Sequence, residues 1–419
     1  MTSFPRNNDA PAAAGNNLLR IVDGHRFWAV LIGIDAYSKD PLRGCVFDAI
    51  NFSRFLTAES MGVPPDHIDL LLGTDNTTPQ PFPGVKCASA TRTNIVDKLL
   101  CLSTNPQIQY GDNILIYFAG HGAVYHCKDY PAYEFPADQG TIEALCPVDR
   151  NPIASDKDER IPDICDRELS TILSDICRTR GHHITVILDC CHSAGATRNM
   201  PQLGPGDRVR RAQELNASYV IEEMFAAGEK RLGELKDGSG FLRYKSISAG
   251  EWKEESKKLE AHVLLAACKS YGLAKEVLGA GNTYHGVFTQ ALLHKLEEAT
   301  KVGELPTYVD LAKCLTRTPL ESYPEVNGDY RNMRLWFTVT LLPLLTFRWV
   351  RPLVVDRWKE DHKGLFGGRP GTVPESECSS SHPGRLAMKL MVFAMFKTSN
   401  PEFRLLSMYI LPVFASQEC

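Results

Sequence analysis

The sequence lacks several patterns that would fix its class at once. None of its 13 cysteines stands in a C-x-x-C pair or at zinc-ligand spacing, which removes zinc fingers and thioredoxin-type redox motifs. A basic surplus is missing too: the net charge is -4, and a nucleic-acid partner needs a basic surface to neutralise phosphates. No apolar run reaches the roughly 20 residues of a membrane-spanning helix. Residues 335–347 come nearest, but they number 13 and include Pro343. The start of the chain carries no charged-then-apolar leader pattern. These absences leave a soluble intracellular protein with reduced thiols, expected in the cytoplasm and conceivable in the nucleus. A composition of 43% hydrophobic and 23% charged residues supports a sizeable core.

What is present reads as alternating strands and helices. Residues 27–34, F-W-A-V-L-I-G-I, form a continuous apolar run suited to a strand buried on both faces. A helix is expected over 45–59, with Ala49, Phe52 and Leu56 on one stripe, then a strand over 68–72. A Pro- and Thr-rich loop over 73–89 and a helix over 91–102 follow. Residues 122–162 read as long and mostly irregular around one apolar piece, 142–148. The cleanest helix spans 166–178, behind a cap at Asp166. A charge-dense segment, 197–260, is expected outside the sheet core, before a strand over 262–267 and helices over 286–297 and 306–315. This alternation predicts an α/β fold with a largely parallel sheet. The expected organisation is a disordered lead over 1–24, one domain over 25–337 with 197–260 as a charged insertion, and a tail over 338–419 with no functional account.

Two of the apolar strands end unusually. N-I-L-I-Y-F-A-G-H-G at 113–122 ends on a histidine between glycines, and I-T-V-I-L-D-C-C-H-S at 184–193 runs into two cysteines. Loops just past the carboxyl ends of parallel strands collect ligands and chemistry. A thiol is mostly protonated at neutral pH, and a neighbouring imidazole turns it into a nucleophile. Side chains alternate along a strand, so Ile187, Asp189 and Cys191 share one face while Leu188 and Cys190 take the other. Asp189 thus lies beside Cys191, where a carboxylate can line a pocket for a basic group. Backbone N–H groups at Gly122 and Cys191 are candidates for an oxyanion hole. Alone, a buried cysteine is more often a small hydrophobe; the paired strands carry the reading.

These segments, in this order, resemble the caspase-fold cysteine peptidases, and most closely the metacaspases. The similarity covers residues 27–337 and includes L-R-G-C-V-F-D-A at 42–49, F-A-G-H-G at 118–122, C-P-V-D at 146–149 and D-C-C-H-S at 189–193. H-V-L-L-A-A-C at 262–268 and G-V-F-T-Q-A-L-L at 286–293 also fit, whereas the caspase signature Q-A-C-x-G is absent. The resemblance implies a caspase-like sandwich, a largely parallel central sheet flanked by helices on both faces. It implies a cysteine endopeptidase with His121 as general base and Cys191 as nucleophile. An acidic pocket around Cys45, Asp48 and Asp189 would select Arg or Lys before the scissile bond. By itself Asp48 reads as a helix-start carboxylate facing the dipole. Self-processing of a zymogen is implied after basic residues of the insertion, with Arg208, Arg210, Arg211, Arg231 and Lys236 as candidates. Expected partners are protein or peptide substrates with basic residues, acted on by a monomer in cell-death or stress pathways, with neither nucleic acid nor membrane involved.

Three departures from the family pattern stand out. Ala119 replaces the usual Ser and Ala194 the usual Gly. Arg167 and Arg198 stand where calcium-dependent members carry carboxylates, leaving only Asp149 and Asp166 to match. Two cations in a hard-cation site argue against calcium, so no metal or other cofactor is expected. Two other classes compete with the peptidase. One is a catalytically weak caspase-fold scaffold. The other is a Cys-dependent phosphatase, for which Arg198 is available but Asp189 beside the thiol would repel phosphate.

Overall fold

A run of eight apolar residues is stable only where both faces are covered, and Phe27–Ile34 (β1) is buried along its whole length. The computed structural model describes residues 22–74, 85–126, 141–151, 160–191, 206–212, 220–233, 262–268, 273–316, 324–338, 389–392 and 409–412. The chain divides into two units, Met1–Leu341 and Leu342–Cys419. In the second, Lys389–Val392 pairs antiparallel with Tyr409–Pro412. In the first, β1 is followed by Cys45–Thr57 (α1), Ile68–Gly73 (β2), Lys86–Ser89 (β3), Arg92–Thr104 (α2), Asn113–Ala119 (β4), Gly122–His126 (β5), Thr141–Leu145 (β6) and Ile164–Cys165 (β7). Then come Asp166–Arg180 (α3), Ile184–Asp189 (β8), Arg208–Val209 (β9), Val220–Gly233 (α4), Val263–Ala266 (β10) and Lys275–Leu278 (β11). Tyr284–Gly286 (β12), Val287–Val302 (α5), Tyr308–Thr316 (α6) and Glu325–Asn327 (β13) complete it.

The central sheet has seven strands in the order β13-β10-β8-β4-β1-β2-β3. Every pairing is parallel except β10 with β13. Helices cover both faces, as the caspase-like reading expects. Register decides where the chemistry emerges. Gly33 lies beside Ala119, and Ala119 beside Asp189. The loop after β1, His121 after β4 and Cys191 after β8 therefore leave the sheet abreast at its carboxyl end.

Helix α3 shows why the pattern folds as it does. Ile172, Leu173 and Ile176 are buried on one stripe, acids fill the first turn and Arg178 and Arg180 the last, as the helix dipole favours. Gly181, at φ 88°, ends the helix in a conformation that only glycine adopts readily. Arg180 then reaches across to donate to the carbonyls of Leu102, Ser103, Asn105 and Ile108. One guanidinium so satisfies acceptors at and just beyond the end of α2.

Three expectations need correction. The loop over 73–89 ends in an edge strand, β3, whose exposed K-C-A-S sequence has no apolar alternation to announce it. Asp166 is the first helical residue and not the cap, which is Cys165; the Asp166 carboxylate accepts the Arg167 N–H at 2.9 Å. The stretch 122–162, read as irregular, contains β5 and β6, which with β7 form a three-stranded antiparallel sheet. The insertion 197–260 contributes β9 and α4, and β9 joins β11 and β12 in a small sheet. Among the described residues no helix is long and apolar enough to cross a membrane.

The unit closes on residues 335–337. Trp336 is 2% exposed and its ring meets Phe27 edge-on, centroids 5.3 Å apart. Trp336→Ala is expected to cost about 3–5 kcal/mol in urea unfolding of the full chain. A loss below about 1 kcal/mol would mean that this turn does not belong to the β1 core.

Candidate active site

His121 is held on three sides. Its backbone N–H donates to the Tyr37 hydroxyl at 2.9 Å, and that hydroxyl donates onward to the Cys146 carbonyl at 2.9 Å. The Tyr37 ring lies 4.5 Å from the imidazole, and the Cys146 N–H donates back to the His121 carbonyl at 3.1 Å. The ring nitrogen Nε2 lies 2.7 Å from the Asp40 carbonyl. A carbonyl can only accept, so Nε2 carries the proton and Nδ1 is left with a free lone pair. Nδ1 is buried and has no hydrogen-bond partner among the described residues. Burial pushes the His121 pKa down to about 4, against the bond to Asp40, which pulls it up. The ring is thus a neutral base of defined tautomer.

Cys191 leaves the end of β8 fully buried. Its Sγ accepts the Ala274 N–H at 3.0 Å and donates to the Ala274 carbonyl at 3.4 Å. Across it runs the segment 206–212. Strand β9 pairs antiparallel with β11, Val209 beside Lys275 and Arg208 beside Glu276, and the Arg210 N–H donates to the Ala274 carbonyl at 2.9 Å. The Arg210 carbonyl oxygen accepts two hydrogen bonds, from Gly122 N–H at 3.2 Å and from Cys191 N–H at 3.1 Å. Beyond it the Ala212 N–H donates to the Gly122 carbonyl at 3.0 Å. The chain is therefore strand-paired on both sides of the Arg210–Arg211 bond, the way an extended peptide docks on a sheet edge. A side chain at Gly122 would collide with the Cys191 carbonyl.

The Arg210 side chain is wholly buried in an acidic pocket. Nη1 lies 2.6 Å from Asp189, Nη2 lies 2.5 Å from Asp48, and Glu276 approaches Nη2 at 3.9 Å. Burial works against the Arg210 charge, but Asp189 and Asp48 outweigh it and hold the pKa well above the usual arginine value. Each carboxylate is itself anchored. Asp189 accepts from Thr289 Oγ1 at 2.6 Å, Asp48 from Gly286 N–H at 2.8 Å, and Glu276 from the N–H groups of Arg43 and Gly44 at 2.8 and 2.9 Å. Asp35, raised to about 6 by burial, accepts the Cys45 N–H at 2.8 Å. Helix α1 has no side-chain cap of its own; Asp35 and Glu276 satisfy the orphan N–H groups at its start.

A thiol after β8, an imidazole after β4 and two N–H groups on one carbonyl lie at the same end of the sheet and suit acyl transfer, and comparison with known proteins points the same way. Residues 28–199 match the family model for the metacaspase, peptidase C14 domain. The chain is metacaspase-like. It is 29% identical to Metacaspase-1 of Yarrowia lipolytica over 202 residues, which cover 46% of this chain and 38% of that protein. It is 26% identical to Metacaspase-1B of Aspergillus fumigatus over 200 residues, 48% of this chain and 42% of that one. Metacaspase-1 of Saccharomyces cerevisiae is 28% identical over 174 residues, 41% of this chain and 34% of that one. The matched stretch thus spans less than half the length of these curated relatives. A solved protein from Geobacter sulfurreducens aligns with a TM-score of 0.44 at 16% identity, covering 75% of this chain and 99% of that one.

In this metacaspase-like unit, Asp48 and Asp189 converge on one guanidinium and the N–H groups of Gly122 and Cys191 on one carbonyl, while Cys45 lies buried at the start of α1 beside Asp35 and Glu276. Among the processing candidates, Arg210 lies in the pocket, Arg211 bridges to Gly122, and the Arg208 guanidinium reaches the Pro41 carbonyl. Arg231 sits instead on α4, 2.6 Å from Asp97. Lys236, Ala194 and Arg198 lie outside the described residues. Tyr37, Asp40, Glu276 and Gly286 were missed by sequence reasoning. Asp40 acts through its backbone, and Glu276 lies in a short strand without alternation. Of the residues expected at a family calcium site, Asp149 accepts the Arg92 N–H at 2.8 Å, Asp166 accepts the Arg167 N–H at 2.9 Å, and buried Arg167 lays its guanidinium 4.8 Å over Phe225. Among the described residues, the donors close enough to share a cation are Asp35, Cys45 and Glu276, beside the Arg210 pocket.

Because the folded chain resists protonation at His121, the stability tied to its neutral ring is complete above pH 6.5 and is lost as pH falls toward 4. That loss is of the order of 3 kcal/mol and should be absent in His121→Gln. In the intact chain the His121 ring protons should titrate in NMR near pH 4. A midpoint near 6.5 would show that the ring is open to solvent in the folded chain.

Proposed function

We propose that this chain is a cysteine endopeptidase that cleaves after arginine or lysine, and that its first substrate is its own Arg210–Arg211 bond. One observation carries the reading: the Arg210 carbonyl lies between the Gly122 and Cys191 N–H groups while its guanidinium lies between Asp48 and Asp189. Those are the two demands of acyl transfer after a basic residue, donors where the oxyanion develops and anions where the side chain docks.

The chemistry runs as follows. Cys191 Sγ turns from Ala274 and gives its proton to His121 Nδ1. Sulfur attacks the Arg210 carbonyl carbon, and the oxyanion is held by the two N–H groups. As the C–N bond breaks, His121 returns the proton to the Arg211 nitrogen. Water, deprotonated by His121, then hydrolyses the thioester and frees the thiol. The Asp40 carbonyl keeps the imidazole oriented throughout. The resemblance adds the setting, a monomeric zymogen in programmed cell death or stress signalling, located in cytoplasm or nucleus.

The test uses the full chain with short fluorogenic peptides ending in Arg, Lys or Asp. Cleavage after Arg or Lys should fall at least about 10³-fold in Cys191→Ala and roughly 10²–10⁴-fold in His121→Ala. No cleavage by folded protein would favour the scaffold reading, and cleavage only after Asp would overturn the acidic pocket.

Because Arg167 stands where a calcium carboxylate would, activity should survive chelator unchanged. A loss of tenfold or more with chelator, restored by calcium, would overturn the metal-independent reading.

Mass spectrometry of the incubated wild type should find a new N-terminus at Arg211, absent in Cys191→Ala and in Arg210→Gln. A chain that is active but cut elsewhere would remove Arg210 as the first site.

A further inference from the structure

The pocket has a wall that lies beyond the stretch matched to the metacaspase model. Gly286, the last residue of β12 and the cap of α5, donates its N–H to Asp48 at 2.8 Å. Its backbone is ordinary, φ -69° and ψ 128°, so any residue could adopt it. Space is what a side chain would lack there. A Cβ would lie 2.5 Å from Arg210 Nη1, 2.8 Å from Arg210 Cζ and 2.5 Å from Asp189 Oδ2. These are distances that real Cβ atoms do not tolerate, and two of the three atoms belong to the guanidinium itself. Glycine at 286 is therefore a requirement of the occupant more than of the backbone.

Across the same guanidinium stands Glu276. Its carboxylate is wholly buried, 3.9 Å from Nη2, and aimed by two backbone N–H bonds from the start of α1. The occupant is thus read at separate points: Nη1 by Asp189 over the bare Gly286 backbone, Nη2 by Asp48 with Glu276 behind it. A planar fork with two terminal nitrogens meets both, whereas a lysine ammonium is a single point that can lie against only one of them closely.

We infer that Gly286 and Glu276 are specificity-determining residues that complete the basic pocket and make it select arginine over lysine. The inference rests on the peptidase reading for its kinetic test and on the pocket alone for its second test. In wild type, kcat/KM for peptides ending in Arg should exceed that for the matched Lys peptides by about tenfold or more, by the worth of one added charge-assisted bond. Gly286→Ala should lower cleavage after Arg more than cleavage after Lys, because the added methyl lies 2.5 Å from Nη1, the nitrogen that lysine lacks. Glu276→Gln should raise KM for Arg peptides several-fold with little change in kcat. An Arg-to-Lys ratio unchanged by Gly286→Ala would overturn the assignment.

The second test needs no turnover. Thermal unfolding of the full chain is measured for Gly286→Ala, Arg210→Ala and the double variant, all in a Cys191→Ala background so that no self-cleavage intervenes. The Gly286→Ala penalty should be clearly larger when Arg210 is present than when it is absent, the remainder coming from the contact with Asp189. Additive shifts would overturn the proposal even if the protein proves to be an active peptidase. A coupled pair without any peptide cleavage would keep the pocket wall and remove the peptidase reading.

Discussion

A guanidinium taken wholly out of water must be neutralised on the spot, and so must the carboxylates that surround it; each is costly alone and tolerable only together. That mutual requirement ties the molecule together at Arg210. Asp189 comes from the end of β8, Asp48 from the first turn of α1, and Glu276 from β11. They accept further hydrogen bonds from Thr289, from the Gly286 backbone and from the N–H groups of Arg43 and Gly44. The pocket is therefore also the place where α1 and α5 begin. A change to any one anion is a change to a helix start as well as to a binding site.

How much of this the sequence reveals depends on the kind of group involved. His121 and Cys191 are legible because each is a chemically distinctive side chain at the end of a long apolar strand, and parallel pairing of β4 with β8 brings such ends together. Asp189 follows from strand alternation. Tyr37 and Asp40 are not legible, since one contributes a hydroxyl to a main-chain bond and the other only a carbonyl, in a left-handed conformation at φ 52°. Periodicity carries no trace of either. The position of Arg210 is equally hidden. Among several basic residues of one charged stretch, only tertiary pairing of β9 with β11 sets which of them enters the pocket.

The small sheets were harder to read than the large one for a related reason. Strand β1 announces itself by eight buried residues, while β9 has two residues and β7 two, neither with an apolar alternation to detect. Short strands of this sort exist because a neighbouring edge is already in place. The β5–β6–β7 sheet is fixed by Asp163, which accepts from Tyr125 at 2.6 Å and from Arg150 at 2.8 and 2.6 Å. That network reaches Cys146 and, through Tyr37, the backbone of His121. An apparently irregular stretch thus positions the imidazole.

Latency in such an arrangement cannot come from the thiol alone. The two bonds between Cys191 and Ala274 are worth about 1 kcal/mol each, too little to fix the thiol in place by themselves. What holds the segment is the four-part contact of Arg210, with its ion pairs and its N–H and C=O bonds all made in strand register. Cleavage of the Arg210–Arg211 bond would leave every one of those contacts in place on the acyl side. The cleft would then still be filled, by product in place of substrate. Access for another chain would depend on β9 peeling from β11, a separation governed by the same buried charges that hold the Arg210 side chain.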